Sequence, residues 1–509
     1  MKDLKELGAI EHQSNFSSWE TALKAELKLE TVDSKLLKYS NELGQFPILS
    51  LETKTSFALP SFTSWKKASQ TYIKIKKDQI QKQLQDDFEG GVRVFFFYGP
   101  NLDQETWNLV QKTFESFNKD EEIEIFILDS KLKYSSSKLK VFDSQNFLMD
   151  SEVIQKGGHN IHELGVLLCQ LIESESSIPD TIGVHVDSNF FRNIAKVRAL
   201  RTLVLKVLEE FKVSKNISIV ALNSYCDWTL YERYSNILRN TMQVSSSLIS
   251  GAEYVQSSGY QTVFYHETNG PGDEHDDNSY RIARNSAHVL ALESMLGITE
   301  DASHGSFHLE SLTQAYIEGA WNFMQKMLPL SIPEREQLIS KELVKVQSER
   351  LNFIKKRKKV ISGINDFPDA KERLNLTLKN GPWKRVPRIF EELRLKVESL
   401  SHLRAVKILV SGDHSALNAR LSFIRNYFEL LGLVVIETQD FKDFTPQDVI
   451  VLCAKDEDYL KLVQNINPSS AFKSYIAGKV DYPGFSALYS GQDVYEELDK
   501  LVQKLLESP

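Results

Sequence analysis

The chain has 509 residues, 41% apolar and 26% charged, the balance of a globular protein long enough for two or three domains. Lys and Arg number 61 against 69 Asp and Glu, and the resulting net charge of −8 argues against a dedicated nucleic-acid binder. No apolar run reaches the ~18 residues of a membrane span, the start Met1-Lys2-Asp3-Leu4-Lys5-Glu6 resembles neither a signal nor a transit peptide, and Cys169, Cys226 and Cys453 are too scattered for a disulfide framework or a CxxC metal motif, so a cytoplasmic, reducing setting is expected.

Residues 1–60 read as an N-terminal arm with one helix, Trp19–Leu29, broken afterwards by Pro47 and Pro60. A different rhythm begins near residue 90. Val92–Tyr98 is an almost continuous apolar run closed by Gly99-Pro100, the pattern of a strand buried on both faces. A helix is predicted over Gln104–Asn118 and further strands over Ile123–Leu128, Lys138–Phe142, Ile182–Val186, Ile217–Leu222 and Tyr254–Val255. Helical patterns at Ile161–Glu173, Phe190–Phe211 and Tyr231–Ile249 separate most of them. This alternation implies a parallel sheet with helices outside it. Its extent, residues 61–333, has the roughly 250-residue size of a TIM-type β/α barrel, although periodicity alone allows an open doubly wound sheet equally well.

Residues 334–360 predict a long polar linker helix, and 363–402, with Pro368, Pro382 and Pro387, a connector, so that 334–403 links two units. A second α/β unit occupies 404–509. Its strands are expected at Val406–Val410, Val434–Glu437, Val449–Cys453, Ser474–Ala477 and Ala487–Tyr489, with helices at Ser415–Leu431, Asp456–Asn465 and Asp493–Leu506. Regular βα repeats of this length suggest a flavodoxin-like sheet. Without a GxGxxG, a dinucleotide site has no support.

Four stretches resemble the methylmalonyl-CoA mutase family. Phe190-Phe191-Arg192-Asn193-Ile194-Ala195-Lys196-Val197-Arg198-Ala199-Leu200-Arg201 is similar to FF-x-E-I-A-K-L-R-A-x-R. Its apolar stripe (Phe190, Ile194, Val197, Leu200, Val204, Val207, Phe211) is that of any amphipathic helix capped by Ser188 or Asn189. The basic triplet Lys196, Arg198 and Arg201 has no such explanation. Gly157 to Gly165, with Glu163-Leu164, is similar to G-A-x-x-x-x-E-L-A. Tyr231 to Thr241 is similar to the small subunits' Y-D-x-Y-V-N-x-L-R-x-T, followed by Gly251-Ala252 for G-G-A. Arg281-Ile282-Ala283-Arg284-Asn285, Glu293-Ser294, Gly305 to Thr313 and Ala320-Trp321 keep the family's order of R-I-A-R-N, E-S, G-S-Y-x-x-E-x-L-T and A-W. The likeness extends over nearly the whole chain. It implies an arm, a TIM-type barrel, a linker and a flavodoxin-like, cobalamin-type α/β domain.

Catalytic chains of the family hold adenosylcobalamin through D-x-H-x-x-G after the first strand of that domain. The His is the cobalt ligand, the Asp orients it, and the Gly lets backbone approach. Here Asp413 and His414 are adjacent and no Gly follows before Gly432. The loop is degenerate, and Asp413 or Ser415 reads as a helix cap. The family's S-x-L reads Cys453-Ala454-Lys455, and its G-G reads Ala477-Gly478. The T-I-R-Q-Y-A-G stretch has no counterpart, and Cys226 stands where S-G-Y-H places a His. Cys226 reads as a buried structural thiol.

His266, Glu267, His275, Asp276 and Asp277, in or beside the loop Asn269–Asp277, fit no zinc spacing and read as a solvated acidic loop. His304 and His308 read as loop and turn rather than a metal pair, and Lys355-Lys356-Arg357-Lys358-Lys359 as a solvated helix face able to meet an acidic partner or a CoA phosphate. The resemblance thus implies the small subunit of a heterodimeric isomerase. The partner large subunit would bind adenosylcobalamin and interconvert methylmalonyl-CoA and succinyl-CoA, while this chain has no catalytic, cofactor or metal residues of its own. An independent acyl-CoA mutase using His414, or a scaffold protein derived from the family, are the competing readings.

Overall fold

The computed structural model describes residues 77–98, 103–117, 122–128, 139–143, 146–150, 152–268, 277–298, 301–400, 405–440, 444–466 and 471–507, with Thr21, residues 24–26, 38–41, 44–47, 68–72 and Lys442. Most of the expected helix Trp19–Leu29 and of the loop Asn269–Asp277 lies outside the described residues, as do Gly99 and Pro100.

Strands β1 (Lys38–Asn41) and β2 (Gly44–Pro47) form an antiparallel pair within the expected arm. Two parallel sheets follow. The first joins β3 (Ala68–Tyr72), β4 (Val92–Tyr98), β5 (Ile123–Leu128) and β6 (Leu139–Phe142) in chain order. The second joins β7 (Phe147–Met149), β8 (Thr181–Val186), β9 (Ser218–Asn223) and β10 (Tyr254–Val255), again in chain order. β10 approaches β3. Alternation along β4 explains its unbroken apolarity: Phe95 and Phe97 pack outward with Trp107 and Phe114 of the helix Gln104–Ser116, whereas Val94 and Phe96 pack inward. That helix starts where Asp103 accepts the Thr106 N–H at 2.7 Å.

Inward side chains of both sheets meet. Phe126 of β5 stacks on Phe142 at 4.3 Å between ring centroids and lies edge-on to Phe147 of β7 at 5.3 Å and Tyr254 of β10 at 5.1 Å. The Tyr254 hydroxyl donates to Glu124 of β5 at 3.0 Å. Each fully buried ring of this kind contributes roughly 1.5–3 kcal/mol.

The helix Phe190–Glu210 is capped by Asn189, which accepts the Arg192 N–H at 3.3 Å. The linker helix runs Ile332–Lys355 and buries Leu343, Val346 and Ile354. Residues 363–387 contain little regular structure, but the helix Arg388–Glu398 follows and packs Phe390, Leu393 and Val397 into the same core as Leu498 and Leu501 of the helix Val494–Glu507. The last sheet is parallel, with order β12 (Val435–Thr438), β11 (Val406–Val410), β13 (Val449–Cys453), β14 (Lys473–Ala477), β15 (Ser486–Leu488). Among the described residues no helix is long and apolar enough to cross a membrane.

Candidate functional site

The basic triplet of the Phe190–Glu210 helix points inward, and each member meets a carboxylate. Lys196 pairs with Glu163 and donates to Asn160 Oδ1 and the His185 carbonyl, both at 2.7 Å. Glu163 also accepts from the His185 backbone N–H at 3.0 Å and lies 2.6 Å from His185 Nδ1. Burial alone would raise the Glu163 pKa; the Lys196 charge and the His185 contacts outweigh it and hold the carboxyl below its usual range. Arg198 reaches Glu310 and Asp301 at 2.9 Å and the Thr313 hydroxyl at 3.0 Å. Arg201 grips Glu253 at 2.9 Å and the Gly251 carbonyl at 2.8 Å. Glu163, Gly251, Glu310 and Thr313 come from the other three resemblance stretches, so these motifs are one buried ion-pair scaffold. The Tyr231–Thr241 stretch works alike: Asn236 donates to the Thr229 and Tyr260 carbonyls at 2.8 and 3.1 Å, and Asn240 accepts the Ser258 N–H at 2.9 Å. Such groups position backbone.

A cavity of about 580 Å³ opens at the carboxyl ends of β8 and β9, lined by Asp187, Ser188, Ser224 and Cys226 and covered by the linker residues Arg350, Phe353 and Lys358 to Ser362. Ligand sites of parallel α/β folds form at such strand ends. Beside it Trp383 is buried, 5.1 Å from the Tyr225 ring and 5.5 Å from His185. Gly381 brings this segment in: a Cβ there would lie 2.6 Å from the His266 carbonyl oxygen. Cys226 donates to the Ile154 carbonyl at 3.2 Å, and burial pushes its thiol up to about 11, which leaves it a protonated packing group at neutral pH.

His266 and Glu267 correct the sequence reading. They end the helix Thr262–Glu267 and are buried, not solvated. Glu267 is compensated by Arg388 at 2.5 Å and Arg385 at 3.4 Å, and Arg385 in turn holds Glu391 at 2.6 Å. Burial pushes the His266 imidazole down to about 3. Nothing in the sequence reading singled out Trp383, Arg385 or Glu391. The available signal was Phe390, Leu393 and Val397 at helical spacing. His304 stands on the turn before the helix Phe307–Met327, with Nδ1 3.7 Å from Glu310, while His308 is in the first turn of that helix, against Phe191. Among the described residues no group of three or more His, Cys, Asp and Glu is placed to hold a metal.

In the last unit, the helix His414–Glu429 begins directly after Asp413, which accepts the Ser415 N–H at 3.2 Å and the Ser415 hydroxyl at 2.5 Å. His414 is half exposed, its Nδ1 3.8 Å from Glu437. Arg420 of this helix spans the carboxyl ends of β13 and β14, donating to the Ala454 carbonyl at 2.6 Å, the Ala477 carbonyl at 3.2 Å and Asp456 at 2.7 Å. Tyr459 supports it at 3.3 Å. Cys453 is buried and its thiol is raised to about 11 by burial.

Residues 182–407 match the model of the family "Methylmalonyl-CoA mutase". This stretch resembles a methylmalonyl-CoA mutase domain. It contains the whole Phe190–Glu210 helix with its three cations, Arg385 and Glu391. The mutase likeness extends further in individual relatives. The chain is 26% identical to the methylmalonyl-CoA mutase small subunit of Propionibacterium freudenreichii subsp. shermanii, over 64% of this chain and 56% of that protein. To the small subunit from Porphyromonas gingivalis it is 25% identical, over 58% and 51%, and to that from Streptomyces virginiae 25%, over 69% and 62%. The chain thus spans about half the length of the first two mutase small subunits, and the likeness covers less than the nearly complete extent that the motifs suggested.

Proposed function

We propose that this chain is the small, non-catalytic subunit of a cytoplasmic, heterodimeric methylmalonyl-CoA mutase. Its partner is the large subunit, which carries adenosylcobalamin and interconverts methylmalonyl-CoA and succinyl-CoA. In this reading the two four-stranded sheets are the halves of a TIM-type β/α barrel, and residues 404–509 are a flavodoxin-like domain derived from a cobalamin-binding one. Similarity to proteins named small subunits supports the assignment.

One observation carries the non-catalytic part. A cobalt-ligand loop needs a turn between strand and helix in which the Asp orients the His. Asp413 instead spends its carboxylate on the cap of a helix that starts at His414. The Arg420–Asp456 pair also occupies the strand ends where a ligand of such a sheet would sit. These residues do not fit a corrin. Within the complex, this chain contributes stabilisation of its partner.

The test is retention of cobalamin by the purified chain after gel filtration, read by visible absorbance, alone and after co-expression with a large subunit. The expected result is no cobalamin on the lone chain and one per heterodimer. Stoichiometric binding by the lone chain, abolished by His414→Ala, would replace this reading with an independent mutase.

A further inference from the structure

We propose that the cavity at the carboxyl ends of β8 and β9 is a binding site for a small organic anion with an apolar body. Its volume of about 580 Å³ lies within the roughly 300–1,000 Å³ of small-molecule sites. Five basic side chains line it (Arg192, Arg239, Arg350, Lys358 and Lys359), against the acids Asp187, Asp227 and Glu349. The chain as a whole carries a net charge of −8, so this concentration of positive charge is local.

The basic run of the linker explains how the charge is assembled. Lys355 lies over the Tyr495 ring at 4.7 Å, and Arg357 pairs with Asp366 at 2.7 Å. Those two are taken up by the protein itself. Lys358, whose Nζ lies 5.9 Å from the centre of the Phe353 ring, and Lys359 are exposed beyond the helix end and form part of the cavity wall. Arg350 is held over the cavity by its bond to the Gly158 carbonyl at 3.0 Å, and Arg239 by its bond to Thr229 Oγ1 at 3.0 Å. Guanidinium groups fixed in this way are pre-organised for a carboxylate or phosphate.

Two further features point to a ligand. The 21-residue helix Phe190–Glu210 begins at this wall and adds the partial positive charge of its N-terminus. Ser188 beside it is half-buried, its Oγ makes no hydrogen bond among the described residues, and a turn about its Cα–Cβ bond would let the hydroxyl donate to an anionic oxygen in the cavity. The apolar body of the ligand would rest on Ile154, Phe353, Ile354, Val360 and Val386. Carboxylates and phosphates share the required chemistry.

The inference goes beyond the subunit assignment and survives its failure, because the probe is not cobalamin. The full chain is titrated calorimetrically with 1-naphthyl phosphate, 1-naphthoate and uncharged 1-naphthol, at low and high salt. Saturable binding of one naphthyl anion per chain is expected, weakened by salt and by at least about tenfold in the Lys358→Glu/Lys359→Glu variant. Both lysines are exposed, so the variant should keep its fold, which circular dichroism verifies. A preference for the phosphate or the carboxylate identifies the head group. No saturable binding of either anion, equal binding by the variant, or equal binding of 1-naphthol would each overturn the proposal.

Discussion

Arg198 has no solvent-accessible side-chain surface and faces Glu310, equally buried, with Asp301 beside it. Removing one partner of such a pair leaves an uncompensated charge in the interior. Arg198→Ala is expected to lower unfolding free energy by about 3–5 kcal/mol, whereas Lys156→Ala, whose side chain and partner Glu152 are both at least half exposed, should cost no more than about 1 kcal/mol. Urea denaturation of the two variants measures both. His266 gives a pH dependence of definite sign. Its imidazole is pushed down to about 3 by burial, so the unfolded chain takes up a proton near pH 6.5 that the folded chain cannot bind. Its contribution is complete above pH ~6.5 and is lost progressively as pH falls towards 3. Between pH ~6.5 and ~5 the native chain should lose about 2 kcal/mol more than His266→Gln. Asp150 works in the other direction: burial raises its carboxyl to about 6, so its contribution is present below pH ~3.8 and disappears as pH rises through 6. Comparing the variant with the native chain at each pH cancels that opposing slope.

At the scale of elements, the segment 374–387 is held by side chains rather than by regular hydrogen bonding. Trp383 packs with Tyr225, Trp228 and Phe264, and Arg385 is fixed between Glu267 and Glu391. Trp383→Ala should cost about 3–5 kcal/mol, the penalty for a cavity in a packed site. A loss below about 1 kcal/mol in urea denaturation would mean that this segment is not packed in solution. The same segment shows why some elements were legible in sequence and others were not. β4 announced itself because both of its faces are covered, and the Phe190–Glu210 helix because its apolar spacing is regular. β3, Ala-Ser-Gln-Thr-Tyr, and β7, three residues long, carry no usable pattern and are strands only because neighbours supply their partners. The cap role of Asp413 was readable from its position before an apolar repeat. That of Arg420 was not, since an Arg on an amphipathic helix normally faces solvent and only the tertiary fold places it over the ends of β13 and β14. Likewise the triplet Lys196, Arg198 and Arg201 stood out as unexplained, but its carboxylates lie 33 to 112 residues away in sequence, beyond the reach of any local pattern.

Across the whole molecule, the last unit and the preceding sheets share side chains. The Leu230 N–H donates to Glu391 at 2.8 Å, the Arg394 guanidinium lies 4.0 Å from the centre of the Tyr231 ring, and Tyr231 is buried in the same cluster as Val406 and Leu498. The aromatic packing between the two early sheets fills the space between them. Phe126, Phe142, Phe147 and Tyr254 contact one another across that space. Opening a passage there would require deleting several of them, at about 3–5 kcal/mol each, against a total stability of about 5–15 kcal/mol for an ordinary domain. Two or three such deletions are therefore expected to consume most of that stability, so the filled space between the sheets is itself part of what keeps the chain folded.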